Sequence, residues 1–217
     1  SLPDMRYPLA RIRRIVGATF IAAAFTAASI FTAAEASANE SPAAVVESFH
    51  ANLLAVMKEA SDLGPKGRYE RLSTPINQAF NLRLTIRIAT GSFWRKANKE
   101  QRVRLVDAFR RLSISNYAAQ FDGYSGQSFR TVETRQGPQK TVLVQTQLVR
   151  PDGGPIGLTY VMKSRNEKDW QIVDVLLDDD ISQLAVRRSE YRRILDNHGI
   201  DGLITTIDDK TKSLIAK

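Results

Sequence analysis

Few side chains in this sequence have both the type and the setting that chemistry needs. It holds two histidines, His50 and His198, and no cysteine in 217 residues. Without a thiolate there is no thiol nucleophile, CxxC redox couple, zinc ribbon or iron–sulfur ligation. Two histidines so far apart also argue against a compact His-based metal centre. His50 falls near the apolar face of the first helix, and His198 precedes a glycine that ends a later one, where positive charge complements the helix dipole; both read as structural. Walker A, HExxH and GxSxG patterns are absent, and Gly153–Gly157 sits between two strands rather than before a helix, so it is a hairpin turn. Asp178, Asp179 and Asp180 could collect a hard cation, but they lack EF-hand spacing and are expected to cap a following helix. Asp174 lies among Ile172, Val173, Val175 and Leu176. A carboxylate there needs a partner, and a salt bridge to one of the many arginines is expected ahead of a general-base role.

The elements that would position these residues come from hydrophobic period. Val45, Phe49, Leu53, Val56 and Met57 recur at helical spacing from Ala44 to the Leu63–Pro65 break, and Gly67–Leu72 forms a short second helix. Over Asn77–Ala89 the residues Phe80, Leu82, Leu84, Ile86 and Ile88 alternate, and period alone reads this as a strand. Asn98 and Gln101 form a capping pair for a long helix with a stripe of Val103, Val106, Phe109, Leu112, Tyr117 and Phe121. After Gly123 the period drops to two, placing strands at Ser128–Arg135, Lys140–Val149, Ile156–Ser164 and Trp170–Leu177, joined by turn-rich links into a four-stranded antiparallel meander. Helices return with Ile181, Leu184, Tyr191 and Leu195 on one face, stop at Gly199, and resume from Asp201. Helices, sheet, helices in that order make one α+β domain.

The charge is +8, from 31 basic and 23 acidic residues, which favours anionic surfaces. The cations cluster at Arg83 and Arg87, at Arg95, Lys96 and Lys99, at Arg102 and Arg104, at Arg110–Arg111, and at Arg187–Arg188 and Arg192–Arg193, without exposed aromatics interleaved, so no nucleic acid is expected as partner. Residues 5–38 carry a basic stretch, the apolar run Ile15–Phe31 and the small-residue pattern Ala36-Ser37-Ala38. That is a secretory signal peptide cleaved after Ala38, with Ser1–Asp4 ahead of Met5 an expression scar; the competing reading is a retained anchor helix. Residues 1–38 are therefore set apart from a single domain at 39–217. Basic residues on an exported domain suit phosphate headgroups or acidic proteins at a membrane.

Four stretches together give the sequence a family likeness: the first helix, Ala44–Met57; Phe93–Arg102 leading into Val106–Arg110; Trp170–Val175; and Ser189–Leu195 through Gly199–Leu203. In order and spacing they resemble the MlaC-type periplasmic lipid-binding family, also known as toluene-tolerance proteins, and within it the hopanoid-associated HpnM branch. The resemblance implies an NTF2-like curved sheet with a helical subdomain enclosing an apolar cavity, and a soluble, cofactor-free shuttle of lipid between an inner-membrane transporter and an outer-membrane lipid-transfer complex. It also implies that Asn77–Ala89 is helical despite its alternation. The chain departs from the family after the last strand, where Asp178–Ser182 carries an extra residue and no glycine.

On this reading the pocket is lined by Val142, Val144 and Leu148 of one strand, Leu158, Tyr160 and Met162 of the next, and Ile172 and Leu176 of the last, with Phe80, Leu84, Phe109, Tyr117 and Phe121 closing it from the helices. The same residues could instead pack a filled core. The expected function is a periplasmic carrier of phospholipid or a hopanoid-type lipid and not an enzyme. The alternatives are a membrane-anchored adaptor of a lipid-export complex, or an enzyme on an apolar substrate with Asp174 as base and Tyr160 as hydrogen-bond donor.

Overall fold

The computed structural model describes residues 41–178 and 180–215; the expected signal peptide at 1–38 lies outside the described residues. Helix α1 spans Pro42–Lys58, with Pro42 in its first turn and the Ser41 hydroxyl accepting from the Ala44 N–H at 3.2 Å. Its buried face holds the expected stripe Val45, Phe49, Leu53, Val56 and Met57, with Val46 and His50 beside it. Helix α2, Ala60–Ala79, is broken at Gly64, whose φ of 61° is open to glycine, and Pro65 then starts the longer piece. The predicted short helix is thus part of a much longer one. Arg68 fastens it, donating from Nε to the Ala118 carbonyl at 2.7 Å and from Nη1 to the Ala60 carbonyl at 3.1 Å.

The alternating stretch is helical, apart from a two-residue break. Phe80 is extended and bridges Ile172, while the Asn81 N–H donates to the Ile172 carbonyl at 2.9 Å. Helix α3 then runs Leu82–Thr90, capped by the Asn81 side chain on the Leu84 N–H at 3.0 Å. Helix α4 is Ser92–Lys96, and α5, Lys99–Gln120, opens on the capping box between Asn98 and Gln101.

The strands β1 Ser128–Gln136, β2 Val142–Arg150, β3 Gly153–Lys163 and β4 Gln171–Leu177 form the expected antiparallel meander. The sheet has five strands rather than four, because β5, Ile181–Ser182, folds back on Leu176–Leu177. This changes the role of the acidic run. Asp178 (φ 48°) and Asp180 stand in the β4–β5 turn, where the Asp178 N–H donates to the Gly157 carbonyl at 2.9 Å, and not at a helix N-terminus. Helix α6, Gln183–Ile215, follows and is broken at Gly199 (φ 64°), where the sequence places a stop.

Register decides which strand residues share a face, since cross-strand partners do. Val142 and Val144 pair with Met162 and Tyr160, and Met162 pairs with Ile172. A bulge between Val161 and Met162 then shifts the frame, so that Val175 and Leu177 pair with Tyr160 and Leu158, while Leu176 pairs with Thr159 on the alternate face. Helices α1, α2, α3 and α6 lie against this sheet, and α5 packs on α2, α3 and α6.

Candidate binding pocket

An apolar recess lies between the sheet and the helices, walled by Ile76 and Phe80 of the α2 end, Phe109, Tyr117 and Phe121 of the α5 stripe, Leu158 and Tyr160 of β3, Val175 and Leu177 of β4, and Leu184 of α6. Its aromatic rings are tightly set. Phe49 meets Phe80 and Tyr117 edge-on at 5.2 and 5.3 Å, and Tyr117 lies parallel to Phe121 at 5.8 Å. These are the favoured offsets of ring quadrupoles. The enclosed volume is about 70 Å³, well below the roughly 300–1,000 Å³ of small-molecule sites. The expected roomy cavity is therefore nearly filled by its own walls.

Of the predicted lining, the structure brings Phe80, Phe109, Tyr117, Phe121, Leu158 and Tyr160 together around the recess. Val142, Val144, Leu148, Met162 and Ile172 sit in the buried core that continues from it. Leu84 is half-buried on α3, outside the recess, and the bulge puts Leu176 on the face opposite Tyr160. The residues missed are Ile76, Leu82, Thr85, Ser113, Asn116, Gln120, Val173, Asp174, Val175, Leu177, Gln183, Leu184 and Arg187. Arg187 was legible, because it stands at i+3 from Leu184 and i−4 from Tyr191, inside the apolar stripe. Its buried guanidinium lies 5.3 Å over the Phe109 ring, a cation–π contact.

The polar groups at the walls are engaged in structure. Tyr160 Oη and His50 Nε2 share a hydrogen bond of 2.8 Å, and the imidazole stacks on Phe129 at 4.0 Å. Burial lowers the His50 pKa to about 3 and raises that of the Tyr160 phenol. Asp174 accepts from the Ser182 hydroxyl, from the Leu184 N–H at 2.9 Å and from the Val175 N–H at 2.7 Å. Ser182 in turn accepts from the Ala185 N–H at 2.9 Å. The partners of Asp174 are therefore a hydroxyl and backbone amides rather than the expected arginine, and together with Ser182 it caps α6 in the role assigned to the acidic run. A carboxylate used this way is poorly placed as a base. Among the described residues no group of acidic or histidine side chains could hold a metal ion, and no helix is long and apolar enough to cross a membrane.

A second recess of about 440 Å³ opens between α1, the α2 end and the β3–β4 turn, lined by Ser48, Asn52, Gln78, Lys168, Asp169 and Gln171 together with Val45, Phe49, Pro75, Ala79 and Trp170. It is larger but polar. An acyl chain gains less by moving from water to a lining half made of polar groups than to the aromatic recess, which is the candidate site.

A sheet with helices closing an aromatic recess on its inner face defines an α+β protein of the apolar-pocket class. Residues 47–209 match the MlaC protein family, and the chain belongs to it. It is 24% identical over 128 residues to the intermembrane phospholipid transport system binding protein MlaC of Haemophilus influenzae, a match covering 58% of this chain and 59% of that protein. The chain thus spans about three-fifths of that relative's length. In three dimensions it is similar to the phospholipid-binding protein of Ralstonia solanacearum, solved in complex with a phospholipid, with a TM-score of 0.71 and 22% identity over 82% of this chain and 99% of that one.

Proposed function

We propose that this protein is a periplasmic lipid carrier, exported by the N-terminal signal peptide, that takes the acyl chains of a phospholipid or the body of a hopanoid-type lipid into the aromatic recess. It would carry them between an inner-membrane transporter and an outer-membrane lipid-transfer complex. The observation that carries the proposal is the apolar, ring-lined wall shared by α2, α5, α6, β3 and β4 in a chain of the MlaC family. Each methylene moved from water into such a wall contributes about 0.8 kcal/mol, so chain burial alone supplies high affinity. The small enclosed volume sets the mechanism: the helices must part from the sheet to admit a chain, and a docking partner that parts them would also release it. No cofactor is required.

The test is mass spectrometry of the protein purified without detergent, under native conditions and again after organic extraction. A stoichiometric phospholipid or hopanoid is expected. Protein that is empty and also takes up no lipid from labelled vesicles would overturn the carrier reading, and the adaptor reading, with residues 1–38 retained as an anchor, would then lead.

A further inference from the structure

The stretch from Arg71 to Lys99 contains no aspartate or glutamate, yet carries Arg83, Arg87, Arg95, Lys96 and Lys99. These five are exposed, on α3, on α4 and at the start of α5. Among the described residues, no carboxylate lies within ion-pairing distance of any of them. The cations elsewhere on α5 behave differently. Arg104 pairs with Asp201 at 3.0 Å, and Arg111 bridges Asp107 and Asp208, knitting α5 to α6. So the charge of the α3–α4 face is not consumed by the fold.

The face is built rather than accidental. Trp94 is buried, with the guanidinium of Arg83 5.5 Å and that of Arg102 5.7 Å from its ring centre. Arg102 also donates to the carbonyls of Trp94 and Arg95, both at 3.0 Å, closing the C-terminal end of α4. This fixes α3, α4 and the α5 start in one unit. Two large apolar side chains stand out to solvent beside the cations: Ile88 next to Arg87, and Val103 one turn after Lys99. Exposed aliphatic groups flanked by unpaired cations are what an anionic bilayer surface takes up. The cations meet headgroup phosphates and the aliphatic groups sink to the acyl boundary. An acidic protein surface would satisfy the charge but leave Ile88 and Val103 without apolar cover.

We infer that the α3–α4 face, Arg83, Arg87, Arg95, Lys96 and Lys99 with Ile88 and Val103, docks reversibly on anionic phospholipid bilayers. This surface is separate from the aromatic recess, and vesicle binding and lipid content are separate readouts, so failure of one reading leaves the other standing. The experiment is co-sedimentation of the chain, purified from the exporting host, with vesicles of phosphatidylglycerol in phosphatidylcholine and with pure phosphatidylcholine vesicles, at low and at physiological salt. Binding is expected on the anionic vesicles and should weaken with salt. Each neutralised cation should lower the partition coefficient about 5-fold. The triple variant Arg87→Gln, Arg95→Gln and Lys96→Gln should therefore lose about 100-fold, with an unchanged circular dichroism spectrum. A control triple of equal charge loss on other elements, Lys66→Gln, Arg135→Gln and Lys163→Gln, should stay within about 3-fold of the parent, since only surface-facing cations feel the bilayer potential. A parent chain that ignores anionic vesicles at low salt, binds neutral vesicles equally well, or binds as tightly after the triple substitution overturns the inference.

Discussion

The α1 packing behind the aromatic recess and the α6 wall of the recess are built differently. On the α1 side Val46, Phe49 and Leu53 are buried to 1% exposure or less. There the His50–Tyr160 hydrogen bond and the Phe129 stack tie helix to sheet. On the α6 side Val175, Gln183 and Leu184 are half-buried, and Asp174 and Ser182 cap the first turn of α6. A wall held by close-packed rings resists separation, because every ring contact is lost at once. A helix start capped through a few hydrogen bonds, with side chains already part-solvated, loosens at smaller cost. On the carrier proposal, the first turn of α6 is therefore the part of the recess expected to yield to an entering acyl chain.

Substitutions on the two sides test this contrast, and the largest effect belongs to the fixed one. Phe49→Ala should destabilise the protein by about 3–5 kcal/mol, read by urea denaturation. A loss under about 1 kcal/mol would show that the α1 packing behind the recess is not the rigid part. The next effect depends on pH. Burial holds His50 neutral in the fold down to about pH 3, whereas in the unfolded chain it titrates near 6.5. Between those values the unfolded state binds the extra proton, so stability is fully present above about pH 6.5 and falls as pH drops towards 3, by roughly 1.4 kcal/mol per unit. His50→Gln keeps a polar partner for Tyr160 but does not titrate, and should flatten that limb of the stability curve. An unchanged slope would place the acid sensitivity elsewhere.

The two sides also differed in how far the sequence disclosed them. The α1 stripe is a plain i, i+3/i+4 pattern, and the structure follows it residue for residue. The alternation over α3 misleads because its buried positions are Leu82, Thr85, Ile86, Ala89 and Thr90. Three of those five are small or hydroxylated and carry little weight in an apolar count, while Thr85 is drawn inward by donating to the Val173 carbonyl at 3.0 Å. The β4 face was misread for another reason. The bulge opposite Val161–Met162 comes from packing and leaves no mark in Gln171–Leu177, so alternation carried through it assigned Leu176 inward in place of Val175 and Leu177. A two-residue strand such as β5 has no period to read. The cap was hidden because Asp174 reaches α6 through the fold, ten residues from the Leu184 amide it holds.

That cap gives the third effect. Asp174→Ala should cost about 1–2 kcal/mol, the range for losing a helix cap, while Asp174→Asn, whose side-chain oxygen still accepts from Leu184, should cost less. If the carboxylate is a cap and not a base, both variants retain co-purified lipid. Retained lipid with a lost turnover of any apolar substrate would favour the enzyme reading instead.

Leu184 should show the smallest stability change and the clearest functional one. Being half-buried, it should lose about 1 kcal/mol or less on truncation to Ala, since a part-solvated side chain leaves little cavity behind. Yet it lines the recess from α6, so on the carrier proposal Leu184→Ala should speed uptake of a fluorescent lipid from vesicles, and Leu184→Trp, which adds a ring at the same place, should slow it several-fold. Phe121, which lines the recess from the end of α5 and is already stacked on Tyr117, provides the comparison: Phe121→Leu should lower stability more than Leu184→Ala while changing the uptake rate less. If the two rates moved the other way round, the yielding wall would be α5, and the hydrogen bonds of Asp174 and Ser182 would mark the part of the recess that stays shut.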